Sequence, residues 1–420
     1  MNHFSYRNGR LYCEEVDIRD IAREVGTPFY LYSHATIERH FRIFDAAFQQ
    51  VDRLICYSAK ANSNLAILRL LAKLGAGLDI VSGGELYKGL KAGIAADRIV
   101  YSGVGKRVDE IDYALRTGIL MFNVESLDEL QLIDERAGQL QKTAPIAIRV
   151  NPDVDPQTHP YISTGLKKNK FGIDTRTALQ AYEMARGLRN IKIMGIDCHI
   201  GSQISAAEPF ADAIENITAL ARELANQGIE ISYLDMGGGL GITYDREAPP
   251  EPNEYAGAIQ SMLKASPYKL ILEPGRVIVG NAGILVTAVL YRKQVPDKTF
   301  VITDAAMNDL IRPSLYQAYH AIQPVVQNND ARITADVVGP ICESGDFLAT
   351  DRELTDVRKG DLLAVMSAGA YGYVMSSNYC SRTKLPEVMV HGDVYHVTNK
   401  RQNYEDLIRN ESIPGYLNEQ

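Results

Sequence analysis

The chain has 420 residues, of which 46% are hydrophobic and 23% charged, and its formal net charge is −8. These proportions are typical of a globular protein with a large apolar core. Acidic and basic residues are interspersed, which argues against a basic face that would bind nucleic acid or anionic lipid.

Targeting and metal-binding signals are also missing from the sequence. The amino-terminal residues MNHFSYRNGRLYCEE lack the apolar core of a signal peptide, and no segment has the roughly 18 uninterrupted apolar residues of a membrane span. We therefore expect a cytoplasmic protein. The cysteines lie far apart without CxxC spacing, which favours reduced thiols over a disulfide framework or a zinc site, and we predict no metal site. They are Cys13, Cys56, Cys198, Cys342 and Cys380.

From residue 54 onward, short apolar or β-branched segments alternate with segments of helical periodicity. This is the pattern of βα units around a parallel sheet. The predicted strands are LICYSA, LDIVS, IVYSG, ILMFNV, IAIRV, IMGIDCHI, ISYLDM and LILEPG. Several intervening helices, such as GELYKGLKAG and VDEIDYALRTG, end on Gly, as a left-handed C-cap requires. Eight units predict an α/β fold, a (β/α)8 TIM-type barrel whose active face lies at the carboxyl ends of the strands.

An open doubly wound sheet is the alternative to a barrel. No G-x-G-x-x-G follows the first strand, however, so a dinucleotide site of the Rossmann kind has little support.

The pattern changes after about residue 280 to strand-like segments separated by turns. Examples are AGILVTAVLY, TFVITDA, DLLAVMSAGAYG and EVMVHGDVYHV, and TPFYLYS at residues 27–33 is also strand-like. We expect two domains: a barrel at residues 34–279, and a mostly β domain formed by residues 1–33 together with residues 280–420.

Chemically useful side chains follow the first two predicted strands. Lys60, in ICYSAKAN, is either a solvated lysine or an amine that attacks an aldehyde, and taken alone the solvated interpretation is favoured. Asp79, Ser82 and Glu85 lie in DIVSGGE. For Ser82 and Glu85 we favour a helix N-cap with its capping-box partner.

Three later strand ends carry further polar groups. DCHIGSQ contains His199 and Ser202, although a lone histidine is more often a structural residue. DMGGGLG places residues 237–239 where backbone N–H groups can approach an anion, or simply form a tight turn. LILEPGR ends with Glu273 and Arg276, which are costly there unless they form a structural ion pair or serve a function.

Together these groups match one ligand. An amine for an aldehyde, an anion nest for a phosphate, an imidazole for a flat ring and a carboxylate for a ring nitrogen are the four requirements of pyridoxal 5′-phosphate. Glu273 is the predicted partner of the ring nitrogen.

A family resemblance extends this interpretation. YSAKAN, DIVSGGE, RVNPDVDPQTHPYISTG, KFGI, HIGSQ, GGGLG, EPGR, RPSLYQAYH, CESGD and AGAYG occur in the order seen in diaminopimelate decarboxylases. The chain resembles this family of fold-type III pyridoxal-phosphate enzymes, relatives of ornithine decarboxylase and alanine racemase, over roughly residues 10–400. The resemblance implies decarboxylation of meso-2,6-diaminopimelate to L-lysine and CO2, the last step of lysine biosynthesis. It also implies a homodimer in which each active site lies between the barrel of one chain and the β domain of the other.

The same resemblance implies roles for individual residues. Lys60 looks like the Schiff-base lysine and His199 like the residue stacked on the ring. Cys342 looks like the proton donor contributed across the interface, although composition alone favours a small buried apolar residue. The predicted cofactor-binding set is Lys60, Asp79, His199, Ser202, Gly237, Gly238, Gly239, Glu273, Gly275, Arg276 and Tyr371.

The substrate gives a physical reason for a second group of residues. Meso-diaminopimelate carries an ammonium and a carboxylate at each end, so its distal head requires both signs of charge. Arg276 and Arg312 offer planar forks for a carboxylate, and Glu343 can accept from the distal ammonium. Tyr316 and Tyr371 resemble the hydroxyl contacts of the family. For Arg312 and Tyr316 the alternative is a solvated loop.

Other functions remain as alternatives. A decarboxylase for ornithine, arginine or carboxynorspermidine needs no distal carboxylate clamp, so Arg312 and CESGD argue against it. An alanine racemase acts on a substrate too small to need a clamp. A non-catalytic pyridoxal-phosphate-binding regulatory protein would not need the lysine, glutamate and cysteine together. One departure from the family is SSNYCSRTKLPEVMV, where Cys380 and a Thr-Lys pair replace an expected asparagine and an Arg-Pro-Arg-like segment.

Overall fold

The computed structural model describes residues 2–152, 154, 170–263, 266–327 and 331–417. The chain divides into two compact units, one of residues 37–279 and one of residues 1–36 with residues 280–420. Most of the RVNPDVDPQTHPYISTG motif lies outside the described residues. Within the described ranges, none of the helices has both the length and the apolar character needed to cross a membrane.

The amino-terminal segment begins with a small antiparallel sheet and leads into the first long helix. Its elements are β1 (Phe4–Arg7), β2 (Arg10–Cys13), β3 (Val16–Asp17), α1 (Ile18–Val25), β4 (Phe29–Ser33) and α2 (His34–Ala47). The Asp17 carboxylate accepts the backbone N–H of Arg19 at 3.0 Å, which satisfies a free donor in the first turn of α1.

The unit of residues 37–279 contains a closed parallel barrel. Its strands are β5 (Arg53–Ser58), β6 (Gly77–Ile80), β7 (Ile99–Tyr101), β8 (Met121–Val124), β9 (Ala144–Asn151), β10 (Ile173–Asp174), β11 (Ile191–Asp197), β12 (Tyr233–Asp235) and β13 (Lys269–Leu272). Pairing runs β9-β11-β12-β13-β5-β6-β7-β8, and β8 pairs again with β9 to close the ring. Among the described strands, the short strand β10 pairs with β9 alone. The predicted eight-stranded barrel is therefore confirmed.

Helices connect the barrel strands at the predicted positions. They are α3 (Leu65–Lys73), α4 (Gly83–Ala92), α5 (Val108–Thr117), α6 (Leu127–Gln139), α7 (Thr175–Gly187), α8 (Glu208–Asn226) and α9 (Pro252–Leu263), and the short helix α10 (Arg276–Val279) follows the last barrel strand. Gly93 and Gly118 end α4 and α5 in the left-handed conformation, at φ +89° and +73°, which confirms the predicted caps.

Ser82 caps the amino terminus of α4, as predicted. Its Oγ accepts the backbone N–H of Glu85 at 3.2 Å. The Glu85 carboxylate accepts the N–H of Val81 at 2.7 Å, so the reciprocal bond goes to the residue before the cap. This pair is therefore explained by helix capping.

The barrel interior is layered from apolar to polar along the strands. A buried apolar cluster fills it at Leu54, Cys56, Val100, Met121, Ala147 and Ile271. Because side chains alternate across a strand, the residues two positions beyond members of this cluster point the same way. Those residues are Ser58, Ser102, Asn123, Arg149 and Glu273. The polar layer thus lies at the carboxyl ends of the strands, where barrel enzymes place their active sites.

The second unit is mostly β. Its further elements are β14 (Gly283–Val295), β15 (Lys298–Thr303), α11 (Arg312–Tyr316), β16 (Ile322–Pro324), β17 (Arg332–Val338), β18 (Phe347–Thr355), β19 (Leu362–Val365), β20 (Glu387–His391), β21 (Val394–Asn399) and α12 (Tyr404–Ile408). The main sheet runs β18-β17-β15-β14-β4-β20-β21, and β19 pairs with β14 and β16. The segment TPFYLYS contains β4 (Phe29–Ser33) of this sheet, as predicted from its strand-like sequence.

Candidate active site

Lys60 lies directly after β5, in the one-turn helix Ala59–Ala61. Its Nζ donates a hydrogen bond to Oδ2 of Asp79 at 2.7 Å, and the Asp79 side chain is fully buried at the end of β6. Ser58 Oγ lies 2.8 Å from the same oxygen. A buried strand can therefore end in an ammonium group because a buried carboxylate on the neighbouring strand compensates its charge.

Three buried carboxyls lie together at the ends of β11, β12 and β13. Oxygen atoms of Asp197, Asp235 and Glu273 all lie within 4.8 Å of one another, the one such group with metal-ligand spacing among the described residues. Burial raises the pKa of all three, that of Asp235 to about 6, and mutual repulsion raises the values of Asp197 and Glu273 further. A cation placed beside the cluster would oppose these shifts and favour the charged carboxylates.

Neutral and cationic side chains surround the carboxyl cluster. Asn123 Nδ2 lies 3.3 Å from Oδ2 of Asp235 and 3.1 Å from Ser102 Oγ. Arg149 Nε lies 3.9 Å from Oδ2 of Asp197. The second charge partner of Arg149 is Glu125, whose Oε1 accepts from Nη1 at 2.8 Å.

The glycine turn after β12 connects His199 to the carboxyl cluster. The N–H of Gly238 donates to Nδ1 of His199 at 3.1 Å, and the N–H of Gly237 donates to Oδ1 of Asp235 at 3.0 Å. A Cβ on Gly238 would lie 2.2 Å from the carbonyl oxygen of Glu273, and a Cβ on Gly237 would lie 2.5 Å from His199 Nδ1. Two of the three glycine amides thus hold neighbouring side chains, and glycine is required here for close packing as well as for any anion contact.

The imidazole of His199 is held neutral. Burial lowers its pKa well below the usual range, and the positive charges of Arg149 and Lys60 lower it further. Because Nδ1 accepts the amide of Gly238, the ring hydrogen resides on Nε2. The ring therefore adds no second positive charge to the site.

Arg276 is buried at the start of α10, which follows β13. Its Nη2 donates to Ser202 Oγ at 3.0 Å, and its Nη1 donates to the hydroxyl of Tyr244 at 2.7 Å. A guanidinium beside a hydroxyl is a suitable receptor for a phosphate or carboxylate. Gly275 precedes it, and a Cβ there would lie 3.0 Å from the Cβ atoms of Ala61 and Ser58. This glycine therefore allows the β13 end to pack against the Lys60 turn.

The sequence prediction did not include several residues of this barrel site. Ser58, Ser102, Asn123, Arg149, Asp197, Asp235 and Tyr244 were not among the predicted site residues. The two-residue alternation within IVYSG and ILMFNV was the available signal for Ser102 and Asn123, since each lies two positions beyond an apolar interior residue.

The other predicted residues lie in the unit of residues 1–36 and 280–420. Cys342 and Glu343 occupy an exposed turn, and the Ser314 hydroxyl of α11 donates to the carbonyl of Gly345 at 2.5 Å. This bond attaches the helix that carries Arg312 and Tyr316 to the Cys342–Glu343 turn.

Neither Arg312 nor Tyr316 is fully exposed to solvent. Arg312 is buried, and its Nε donates to Nε2 of His320 at 3.3 Å, so the alternative of a solvated loop is wrong for this residue. Tyr316 is partly buried. Tyr371, also partly buried, has φ +55°, a conformation that is costly for a tyrosine and is concentrated at functional sites.

Comparisons with known proteins agree with this geometry. The family described as "Pyridoxal-dependent decarboxylase, pyridoxal binding domain" matches residues 34–280. A diaminopimelate decarboxylase from Aquifex aeolicus is 51% identical over 97% of this chain and 96% of its own length. The chain belongs to the diaminopimelate decarboxylase family. Another member, from Vibrio cholerae, is 50% identical over 98% of this chain and 99% of its own.

A solved structure supports the fold assignment directly. The crystal structure of diaminopimelate decarboxylase from Helicobacter pylori complexed with L-lysine superimposes with a TM-score of 0.91 at 44% identity, covering 94% of this chain and 99% of that one. Membership of this family confirms the predicted fold-type III architecture and pyridoxal phosphate as the cofactor.

The residues at the barrel end fit this cofactor. Lys60 supplies an amine, Arg276 with Ser202 supplies an anion receptor, and the carboxyl cluster supplies negative charge. Oδ1 of Asp79 and Oδ1 of Asn123 are buried and have no hydrogen-bond partner among the described residues, as expected where a polar ligand completes a site.

Proposed function

We propose that the chain is a carboxy-lyase that converts meso-2,6-diaminopimelate to L-lysine and CO2, the last step of lysine biosynthesis. The observation that carries the proposal is the polar layer of the barrel, where the Lys60 ammonium on Asp79 adjoins a buried cluster containing Glu273. Ser58 bridges the two parts, since its Oγ lies 2.8 Å from Asp79 and 2.9 Å from the carbonyl of Glu273.

Pyridoxal phosphate, when bound, supplies an electron sink for the pair released as CO2 departs. Lys60 would hold its aldehyde carbon, Glu273 its ring nitrogen and His199 one face of the ring. Arg276, Ser202, the glycine turn of residues 237–239 and Tyr371 would hold its phosphate side. These roles follow the resemblance of the motifs and are compatible with the charges described above.

Hydrogen bonds, burial and neighbouring charges prepare Lys60, Glu273 and His199 for these roles. Asp79 orients the Lys60 amine through the 2.7 Å hydrogen bond. Burial and the neighbouring carboxylates raise the pKa of Glu273, so a cationic ring nitrogen beside it would stabilise its charged form. Neutral His199 covers a ring without repelling that cation. Positioning of this kind is a recognised source of rate enhancement.

The distal end of the substrate is assigned mainly to the β unit. Arg312 of this unit, together with Arg276 of the barrel, is proposed to bind carboxylate oxygens and Glu343 to accept from the distal ammonium, while Tyr316 and Tyr371 supply hydroxyls. Cys342 is proposed to protonate the substrate α-carbon after CO2 has left. Arg312 is preorganised for such a role because it is buried and held by His320.

We further propose a head-to-tail homodimer in which residues 34–279 of one chain and the β domain of the other, residues 1–33 and 280–420, form each active site. The enzyme would act in the cytoplasm. In such a dimer, Cys342 and Glu343 serve the cofactor held by Lys60 of the partner copy.

A product assay tests the reaction. Protein supplemented with pyridoxal phosphate should form L-lysine and CO2 in equal amounts from meso-diaminopimelate, and should leave ornithine and arginine unchanged. Formation of diaminopimelate epimers alone, or preference for ornithine, would contradict the assignment.

Complementation tests the shared site. Lys60→Ala and Cys342→Ser variants should each be inactive alone. Coexpression of the two chains should restore about a quarter of the wild-type sites, because half of a random dimer population is mixed and each mixed dimer has one intact site. Coexpressed chains that stay inactive, although mixed dimers are isolated, would contradict a site shared between copies.

A further inference from the structure

Tyr379 lies in an exposed turn of the β unit and contacts a residue assigned to the substrate. Its hydroxyl donates to Oε2 of Glu343 at 2.7 Å, although 36 residues separate them in the chain. Neither residue lies in a strand or a long helix, since Tyr379 begins the single irregular turn Tyr379–Ser381 and Glu343 belongs to the Cys342–Glu343 turn. The contact therefore joins two loops through their side chains.

Both loops are anchored at their bases. Asn308 holds the first, because its carbonyl accepts the N–H of Ser377 at 2.9 Å and its Nδ2 donates back to the Ser377 carbonyl at 3.2 Å. Asp346 holds the second, because its carboxylate accepts the N–H groups of Ile341 at 2.6 Å and Met307 at 2.7 Å. These bonds restrain the two backbones near the bases of the loops, so the Tyr379 hydrogen bond acts mainly on the side-chain rotation of the exposed Glu343.

The Tyr379 turn also stores conformational strain. Cys380 and Ser381, the next two residues, have φ +54° and +55°. Two consecutive side-chain-bearing residues in the left-handed region are costly, and such strain persists where a local geometry serves a function. Cys380 occupies the position where asparagine, which tolerates this region well, is expected from the family pattern.

We propose that Tyr379 is a positioning residue that orients the Glu343 carboxylate toward the distal ammonium of the substrate and thereby contributes to substrate selection. The inference rests on the proposed function, in which Glu343 accepts from that ammonium. A carboxylate is an acceptor only, so the phenol must be the donor, and binding at Oε2 leaves Oε1 to accept from a cation. The phenol of a tyrosine is protonated at neutral pH, and the hydrogen bond with Glu343 raises the pKa of Tyr379 further from that range.

The test is Tyr379→Phe, which removes the hydroxyl and keeps the ring. We expect KM for meso-diaminopimelate to rise roughly tenfold, the loss expected for one hydrogen bond to a charged group, with kcat changed less than twofold. Cofactor content and the unfolding midpoint should equal those of the wild type. The matched control is Tyr404→Phe, since Tyr404 is 80% exposed in the same unit. It should leave every parameter unchanged.

A double-mutant cycle distinguishes positioning from a general structural role. If Tyr379 acts through Glu343, the KM effect of Tyr379→Phe should vanish in a Glu343→Gln background. An unchanged KM in Tyr379→Phe, or an equal rise in both backgrounds, would overturn the inference while the wild-type reaction still stands. A wild type that forms no L-lysine would instead refute the proposed function and, with it, this role.

Discussion

Gly238→Ala tests whether the glycine turn is needed for packing against the end of β13. A Cβ at this position would lie 2.2 Å from the carbonyl oxygen of Glu273, whereas ordinary van der Waals contact begins at 3.4 Å. That carbonyl cannot move aside as a flexible side chain would, because the neighbouring N–H of Glu273 donates to the carbonyl of Gly237 at 2.7 Å. The φ of Gly238 lies outside the left-handed region, so any cost is steric.

The expected loss follows from the size of this overlap. Relief requires a backbone displacement of about 1.2 Å, and overpacking of this kind costs about 1–3 kcal/mol in a well-packed interior. A loss of about 2 kcal/mol lowers the ratio of folded to unfolded protein roughly 30-fold. The displacement also moves Glu273 relative to His199, so affinity for pyridoxal phosphate should fall with stability.

Urea unfolding followed by circular dichroism measures this loss, since the chain contains no tryptophan for fluorescence. Gly257→Ala is the matched control because a Cβ there meets no atom within 4 Å and alanine is favoured inside α9. The control should be as stable as the wild type or slightly more stable. A Gly238→Ala protein with the wild-type midpoint and undiminished cofactor affinity would refute the packing argument.

Three further predictions follow from other contacts. Lys60→Arg retains a positive charge beside Asp79 but has no primary amine to bond the cofactor aldehyde. Borohydride treatment of cofactor-supplemented protein should therefore add mass to the peptide containing residue 60 in the wild type only. Added mass on this peptide in the variant would contradict the role of Lys60. Asp346→Asn removes one of the two carboxylate acceptors of the Met307 and Ile341 N–H groups and should lower the free energy of unfolding by about 1–3 kcal/mol. Equal unfolding curves for the variant and the wild type would contradict this role. Burial raises the pKa of Asp309 to about 7, so this carboxyl loses its proton at lower pH in the unfolded chain than in the folded chain. The free energy of unfolding therefore falls as pH rises from about 4 to 7. Asp309→Asn should therefore gain about 3 kcal/mol relative to the wild type between pH 5 and pH 8, and a pH-independent difference would refute this coupling.

The barrel was predictable because its strands carry strong local signals. Segments such as LICYSA and LILEPG are apolar, bounded by turns and separated by helical periods, so each was identified without knowledge of its neighbours. Residues 29–33 could be recognised as a strand in the same way. Its place between β14 and β20 in the second unit depends on contacts more than 250 residues away along the chain.

The site was predicted less completely. Lys60, His199 and Glu273 end strands with conspicuous motifs, whereas Asn123 lies in no such motif and belongs to the site because β8 and β12 face the same interior. The hydrogen bond from the Gly238 amide to His199 could not be predicted from the glycine motif, because His199 follows a different strand. Likewise, the bond between Tyr379 and Glu343 joins two loops, and no local periodicity predicts such a pairing.

The alternation of apolar and polar layers inside the barrel restricts how this chain can vary. Met121 and Asn123 share one direction because a single residue separates them. One inserted residue between them would turn the amide toward the outer helices and bring an unrelated side chain into the catalytic cavity. Related chains should accordingly tolerate length changes in their surface loops while these short strands keep a constant length.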